Sequence, residues 1–183
     1  MGLHPLLASR WSPTTFDASH EATAEDVGLL LEAARWAPSA GNSQPWAFVV
    51  GRRGDEVHHR LVPHLAGSSS AWAPTASLLV ANLSHRYIED TDWDYSEFAS
   101  YDLGQAVAHM TVQARALGLH VRQFRAFHRD RIAAEFGIPE HWEVTTMSAI
   151  GWLPRTSEQA ARGPAGDPGR HRRPIDDLVW RTA

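Results

Sequence analysis

The chain contains no cysteine. That excludes disulfides, thiol redox chemistry and thiolate metal sites, so any redox work needs a bound cofactor to carry the electrons. No apolar run approaches the ~18 residues of a membrane span, and no basic-then-apolar leader opens the chain, so the cytoplasm is the expected compartment and no membrane partner is expected. Net positive charge is lacking too. The formal balance is −4, which offers no electrostatic footprint for nucleic acid. A Gly-x-Gly-x-x-Gly turn is absent, so no Rossmann dinucleotide site is expected. There is no internal repeat and no sign of a second domain. What remains is 183 residues with 43% apolar content, enough for one domain with a sizeable core. Eight Trp is a high number, and several are expected at a pocket or a subunit contact.

The most informative stretch runs Ala37-Pro38-Ser39-Ala40-Gly41-Asn42-Ser43-Gln44-Pro45-Trp46. It carries no charge but is rich in neutral hydrogen-bonding groups. Two prolines fix their own φ and push the preceding residues out of helix. Gly41 allows a positive φ, and Asn42 tolerates one. The physics fits a preorganised loop for a flat ligand with polar edges. On the residues alone an ordinary helix-to-strand turn with Trp46 in the core fits better still, because such turns are common.

Around this loop the chain alternates helices and short strands. Thr23-Ala24-Glu25-Asp26 reads as a capping box, with Val27, Leu30, Leu31 and Ala34 on one helical face. A strand over 47–50, a helix over 55–65 and a strand over 77–81 follow. The acidic, aromatic stretch 89–98 reads as a loop. A long helix is expected from an N-cap at Ser100 to Gly118, with Asp102 as a helix-start charge. Its stripe Leu103, Ala106, Met110, Ala114 and Leu117 contains small residues that suit close packing. Strands over 120–124 and 144–150 complete a sheet, and 156–169 reads as an extended linker. The histidines give no metal site. His58 and His59 read as incidental on a surface helix, and His109 as a packed or interface residue.

Several segments together resemble the FMN-dependent nitroreductase family. "APSAGNSQPWAFVV" is similar to its signature loop, and Ser9-Arg10-Trp11-Ser12-Pro13-Thr14-Thr15-Phe16 to its Arg-x-Ser-x-x-x-Phe element. Tyr101 to Leu119 resembles its central helix. Gln123 to Phe127, Phe136 to Glu140 and Ala149 to Trp152 resemble its flavin-facing strand, short helix and last core strand. Arg170-His171-Arg172-Arg173-Pro174 resembles its basic tail.

That resemblance implies an α+β nitroreductase-like fold, with a mainly antiparallel sheet flanked by helices, in an intertwined homodimer. The whole chain would be one domain, with 156–183 as a C-terminal arm. It implies FMN as cofactor, with cofactor contacts from Arg10, Trp11, Ser12 and Thr14, and from Arg170 and Arg172. Guanidinium groups match a phosphate dianion well, so Arg10 and Arg172 are the favoured phosphate ligands, Arg170 ranks lower, and Ser12 donates a neutral bond. Backbone groups of Arg125-Ala126 would approach flavin N5, while Pro38, Ser39, Ala40 and Asn42 would come from the other subunit. Arg125 either contacts a substrate or nicotinamide phosphate, or points to solvent.

Three departures from the family pattern stand out. Ala126 replaces a usual glycine. Thr14 stands where many members have a basic residue, and 68–71 lack the usual Asn and Lys. The implied activity is hydride transfer from NAD(P)H through flavin N5 to a nitroaromatic, quinone or enone-like acceptor, in a ping-pong cycle without a catalytic side chain. The alternative is a flavin-sequestering or flavin-sensing protein with little turnover, to which the missing basic positions lend weight.

Overall fold

A computed structural model describes residues 2–154 and 171–180. The expected linker over 156–169, and Arg170 with it, lie outside these described residues. Five α-helices, α1 (Pro5–Ala8), α2 (Ala24–Arg35), α3 (Glu56–Leu61), α4 (Ala99–Ala116) and α5 (Arg129–Phe136), surround four strands: β1 (Trp46–Arg52), β2 (Leu78–His85), β3 (His120–Phe124) and β4 (Trp142–Gly151). The strands form one antiparallel sheet in the order β1-β2-β4-β3.

The two-residue period of β2 explains the layering. Leu78 and Val80 face one core with Leu30, Ala34, Ala106, Met110, Ala114 and Ile150. Leu79, Ala81 and Leu83 face the other, with Phe16, Leu61, Ile132, Val144, Met147 and Ala149. Both faces of β2 are therefore buried, and the strand reads as a continuous apolar run. Helices α2 and α4 cover one face, and α3, α5 and the Phe16 segment cover the other. This is the expected α+β arrangement.

Helix α2 starts at the capping box: Thr23 Oγ1 accepts from the Asp26 N–H at 3.1 Å, and an Asp26 oxygen accepts from the Thr23 N–H at 2.8 Å. Helix α3 is shorter than expected because Pro63 turns the chain into a 3-10 segment, Val62–His64. For α4 the expected Ser100 cap is wrong. Ser96 Oγ accepts from the Phe98 N–H at 3.2 Å, so the turn closes early and Phe98 becomes the N-cap. The small-residue stripe of α4 is also spent within the chain, because Ala106, Met110 and Ala114 pack on the sheet and α2. The exposed face of α4 carries Tyr101, Gly104, Ala108, His109 and Val112 instead. His109 is thus not packed within its own chain.

None of the eight Trp is fully buried, and Trp36, Trp93 and Trp180 are 72%, 76% and 92% exposed. Among the described residues, no helix is long and apolar enough to cross a membrane.

Candidate functional site

The uncharged loop after α2 is preorganised as its sequence suggests. Residues Ala40–Asn42 form a 3-10 turn in which Gly41 has φ +57° and Asn42 φ +56°. Gln44 also sits at φ +47°, uncommon for a side chain of that kind. Ser39 Oγ accepts from the Gln44 N–H at 3.0 Å and closes the loop on itself. Trp46 is half-buried at the margin of a core, neither a free anchor nor a core residue.

Asp102 has a role that its position at a helix start does not reveal. It is 2% exposed, and its Oδ2 accepts from the Ala40 N–H at 3.0 Å while Oδ1 accepts from Gln105 Nε2 at 3.2 Å. The carboxylate therefore ties the loop to α4, with the favourable N-terminal end of the helix dipole beside it. It is the helix-start charge expected, and it is also a buried anchor.

A second cluster forms around Ser12. Arg10 Nη1 donates to Ser12 Oγ at 3.2 Å, and Arg122 Nη1, from β3, donates to the Ser12 carbonyl at 2.9 Å. Trp11 meets His120 edge-on, ring centroids 5.9 Å apart, and its buried Nε1 has no hydrogen-bond partner. Burial, with the Arg115 charge second, pushes the His120 imidazole down to about 4. Thr14 is exposed. Arg122 also lies 5.1 Å over the Trp72 ring, and Trp72 in turn packs on Phe124 and Phe16. An aromatic wall with a guanidinium against it thus borders the Ser12 segment.

Where β3 ends, the Ala126 carbonyl accepts from the Ala66 N–H at 3.0 Å and from Ser69 Oγ. Those two bonds lock the strand end onto the 3-10 turn Gly67–Ala71. No described group accepts from the N–H of Arg125 or Ala126. The exposed Arg125 donates from Nη1 to the Phe127 carbonyl at 3.2 Å and covers the Phe127 ring. It shares a cavity of about 440 Å³ with Phe127, His128, Arg129, Asp130 and Arg131. The side chain is folded back at the mouth of a basic recess.

The structure therefore gathers Arg10, Trp11 and Ser12 against the strand that leads to Arg125-Ala126. It places Pro38, Ser39, Ala40 and Asn42 in a separate group, bound to α4. Arg172 is exposed, and its described hydrogen bond runs from Nη1 to the His171 carbonyl at 2.8 Å, so described contacts do not bring it to Arg10. Sequence reasoning missed Arg122 and Ser69, whose roles come from strand register and a loop closure with no motif signal. It also misplaced His58, which is 5% exposed, its protonation disfavoured by burial. Among the described residues no group of His, Asp and Glu could hold a metal ion.

Residues 7–74 match the model of the nitroreductase family. A solved oxidoreductase containing FMN is 31% identical, aligns over 100% of this chain and 93% of its own, and superposes with a TM-score of 0.85. The chain belongs to the nitroreductase family. Among further relatives, the DrgA protein of Synechocystis sp. is 26% identical over 208 residues, covering 100% of this chain and 97% of that protein. The major NAD(P)H-flavin oxidoreductase of Aliivibrio fischeri is 42% identical over 50 residues, 26% of this chain and 23% of that protein. Nitroreductase-family membership accords with the antiparallel α+β sheet and with the order of motifs along the chain.

Proposed function

We propose that this protein is an FMN-dependent oxidoreductase that takes hydride from NAD(P)H and delivers it to a small organic acceptor. The observation that carries this reading is the pairing of Arg122 with the Ser12 carbonyl, because it docks the Arg10–Ser12 segment beside the Arg125-Ala126 strand end. Those are two segments that the family resemblance brings to one flavin.

The residues fit the group. Arg10 and Ser12 present a charged and a neutral donor for a phosphate, and Trp11 Nε1 is a buried donor without a partner. The uncommitted N–H groups of Arg125 and Ala126 suit the polar edge of a flavin ring. Bound FMN would supply two-electron chemistry at N5, while the protein binds, orients and excludes water. Arg172, Arg170 and the Pro38 to Asn42 loop would complete the site from a second subunit. This accords with the separation of that loop from Ser12 and with the exposed apolar residues Trp36, Tyr101, Val112, Ile175 and Trp180. The recess around Arg125 and Arg131 suits the anionic part of a nicotinamide cofactor.

Anaerobic addition of NADPH, and separately NADH, to the purified yellow protein tests the reading. Bleaching within seconds, reversed by a quinone or nitroaromatic, supports turnover. A colour that persists with both points to a flavin store, and a colourless protein that takes up no added FMN ends the proposal.

A further inference from the structure

Hydride transfer to FMN adds two electrons and one proton: the C–H bond of the nicotinamide breaks, an N5–H bond forms, and the donor leaves as the oxidised cation. The ring is left with one negative charge, concentrated at N1 and the adjacent carbonyl. A site that reduces its flavin readily places a fixed positive charge or strong donor there. Thr14 and the Ser68-Ser69-Ser70-Ala71 turn carry no charge.

The supply of candidates is narrow. All 17 basic residues counted as Lys or Arg are arginine, so every permanent side-chain cation is a guanidinium. Arg122 lies where the two uncharged segments meet. Its Nη1 is bonded to Ser12, two residues before Thr14, and its Cζ stands 5.1 Å from the centre of the Trp72 ring, directly after the Ser68–Ala71 turn. The site around it is dry on one side: Arg122 Nε is buried and has no partner. On the other side, no described residue takes a bond from Nη2. The ring against it is Trp72, backed by Phe124 and the buried Phe16, an apolar surface that suits a flat heterocycle better than a solvated phosphate. Arg10, bonded to the Ser12 hydroxyl, stands on the phosphate side of the same segment in the reading above.

We infer that Arg122 is the cation that stabilises the negative charge on the reduced flavin ring, in place of the basic groups absent from Thr14 and from the 68–71 turn. The inference rests on FMN being the cofactor, and assigns a positioning and electrostatic role to a residue of β3. An arginine fixed between a carbonyl and an aromatic face does not need to reorganise as charge develops. In this geometry a neutral side chain at 122 leaves the flavin bound but harder to reduce.

The test uses the FMN-loaded protein and does not depend on turnover. Sulfite adds its electron pair to N5 of oxidised flavin and leaves the same negative charge on the ring. Sulfite affinity therefore reads that charge directly. Arg122→Gln is expected to bind sulfite at least tenfold more weakly, and its two-electron midpoint potential to fall by ~30 mV or more, the equivalent of tenfold in an equilibrium constant. Arg122→Lys keeps the charge and is expected to recover most of both. In the parent, one proton taken up per two electrons predicts a potential that falls by ~30 mV per pH unit near neutrality, a measurement independent of any variant. Unchanged sulfite affinity and potential in Arg122→Gln would overturn the inference. So would weaker FMN binding with unchanged riboflavin binding and potential, which makes Arg122 a phosphate ligand. A parent slope of ~60 mV per pH unit overturns it as well. Failure of the parent to take up FMN instead defeats the functional reading beneath it.

Discussion

The Asp102 carboxylate, buried at the start of α4, accepts a hydrogen bond at 3.0 Å from the backbone N–H of Ala40, which lies 62 residues earlier in the chain. This bond fixes the uncharged loop to the longest helix. Asp102→Ala leaves the Ala40 N–H without its partner and is expected to cost about 1–3 kcal/mol of stability. FMN affinity is expected to fall as well if the loop completes the flavin site. Asp102→Asn retains a carbonyl acceptor and is expected to lose less on both counts. Urea unfolding with and without added FMN checks this. Equal stability of Asp102→Ala and parent would show that the bond contributes little.

Acid sensitivity near pH 5–6 is a second expectation. Folding holds the His120 imidazole at about 4, against 6.5 for the free group, because burial disfavours its charged form. Between those values the unfolded chain binds the extra proton, so stability is full above about pH 6.5 and falls as the pH drops towards 4. His58 is shifted in the same direction by burial and adds to the slope. His120→Phe preserves an edge for Trp11 and removes the titration. Unfolding midpoints of this variant between pH 7 and 4.5 should fall less steeply than those of the parent. Parallel curves would contradict the assignment.

The outward face of α4 offers a direct probe of assembly. Ala108 is exposed there, between Gly104 and Val112. An arginine at 108 meets solvent in an isolated chain and should leave its fold intact, but a homodimer packed on this face would have to bury the charge. Ala108→Arg is therefore expected to move the light-scattering mass from a dimer towards the 20.3 kDa of one chain, with flavin lost in parallel. A variant that stays dimeric and yellow would place the contact elsewhere.

Gly51 marks a tight crossing between β1 and α3. A Cβ there would stand 2.6 Å from His58 N and 2.7 Å from His58 Cα, both backbone atoms that cannot rotate away. Gly51→Ala is expected to force strand and helix apart at a cost of about 1–3 kcal/mol. Thermal unfolding measures it, and a neutral or raised Tm would show that α3 yields easily. By contrast, a Cβ at Gly104 meets no atom within 4 Å.

The elements that depend on neighbours in the chain were legible in the sequence: the Thr23–Asp26 capping box, the strand pattern of 78–81, and the positive φ at Gly41 and Asn42 each follow from local stereochemistry. The Pro38–Trp46 segment was legible as a site candidate from its uncharged, hydrogen-bonding residue types, and Ser9–Phe16 only through its resemblance to a family element. Everything that required two distant segments to meet was decided by tertiary structure. Burial makes Asp102, the expected helix-start charge, an anchor as well and turns His58 from a surface residue into a buried one, because α4 and α3 present those positions inward. Strand register, which no side chain announces, brings Arg122 to Ser12 across 110 residues. The small residues of α4 say that something packs closely there, but only the sheet and α2 decide that they serve the chain's own core and leave Tyr101, Gly104, Ala108 and Val112 facing outward.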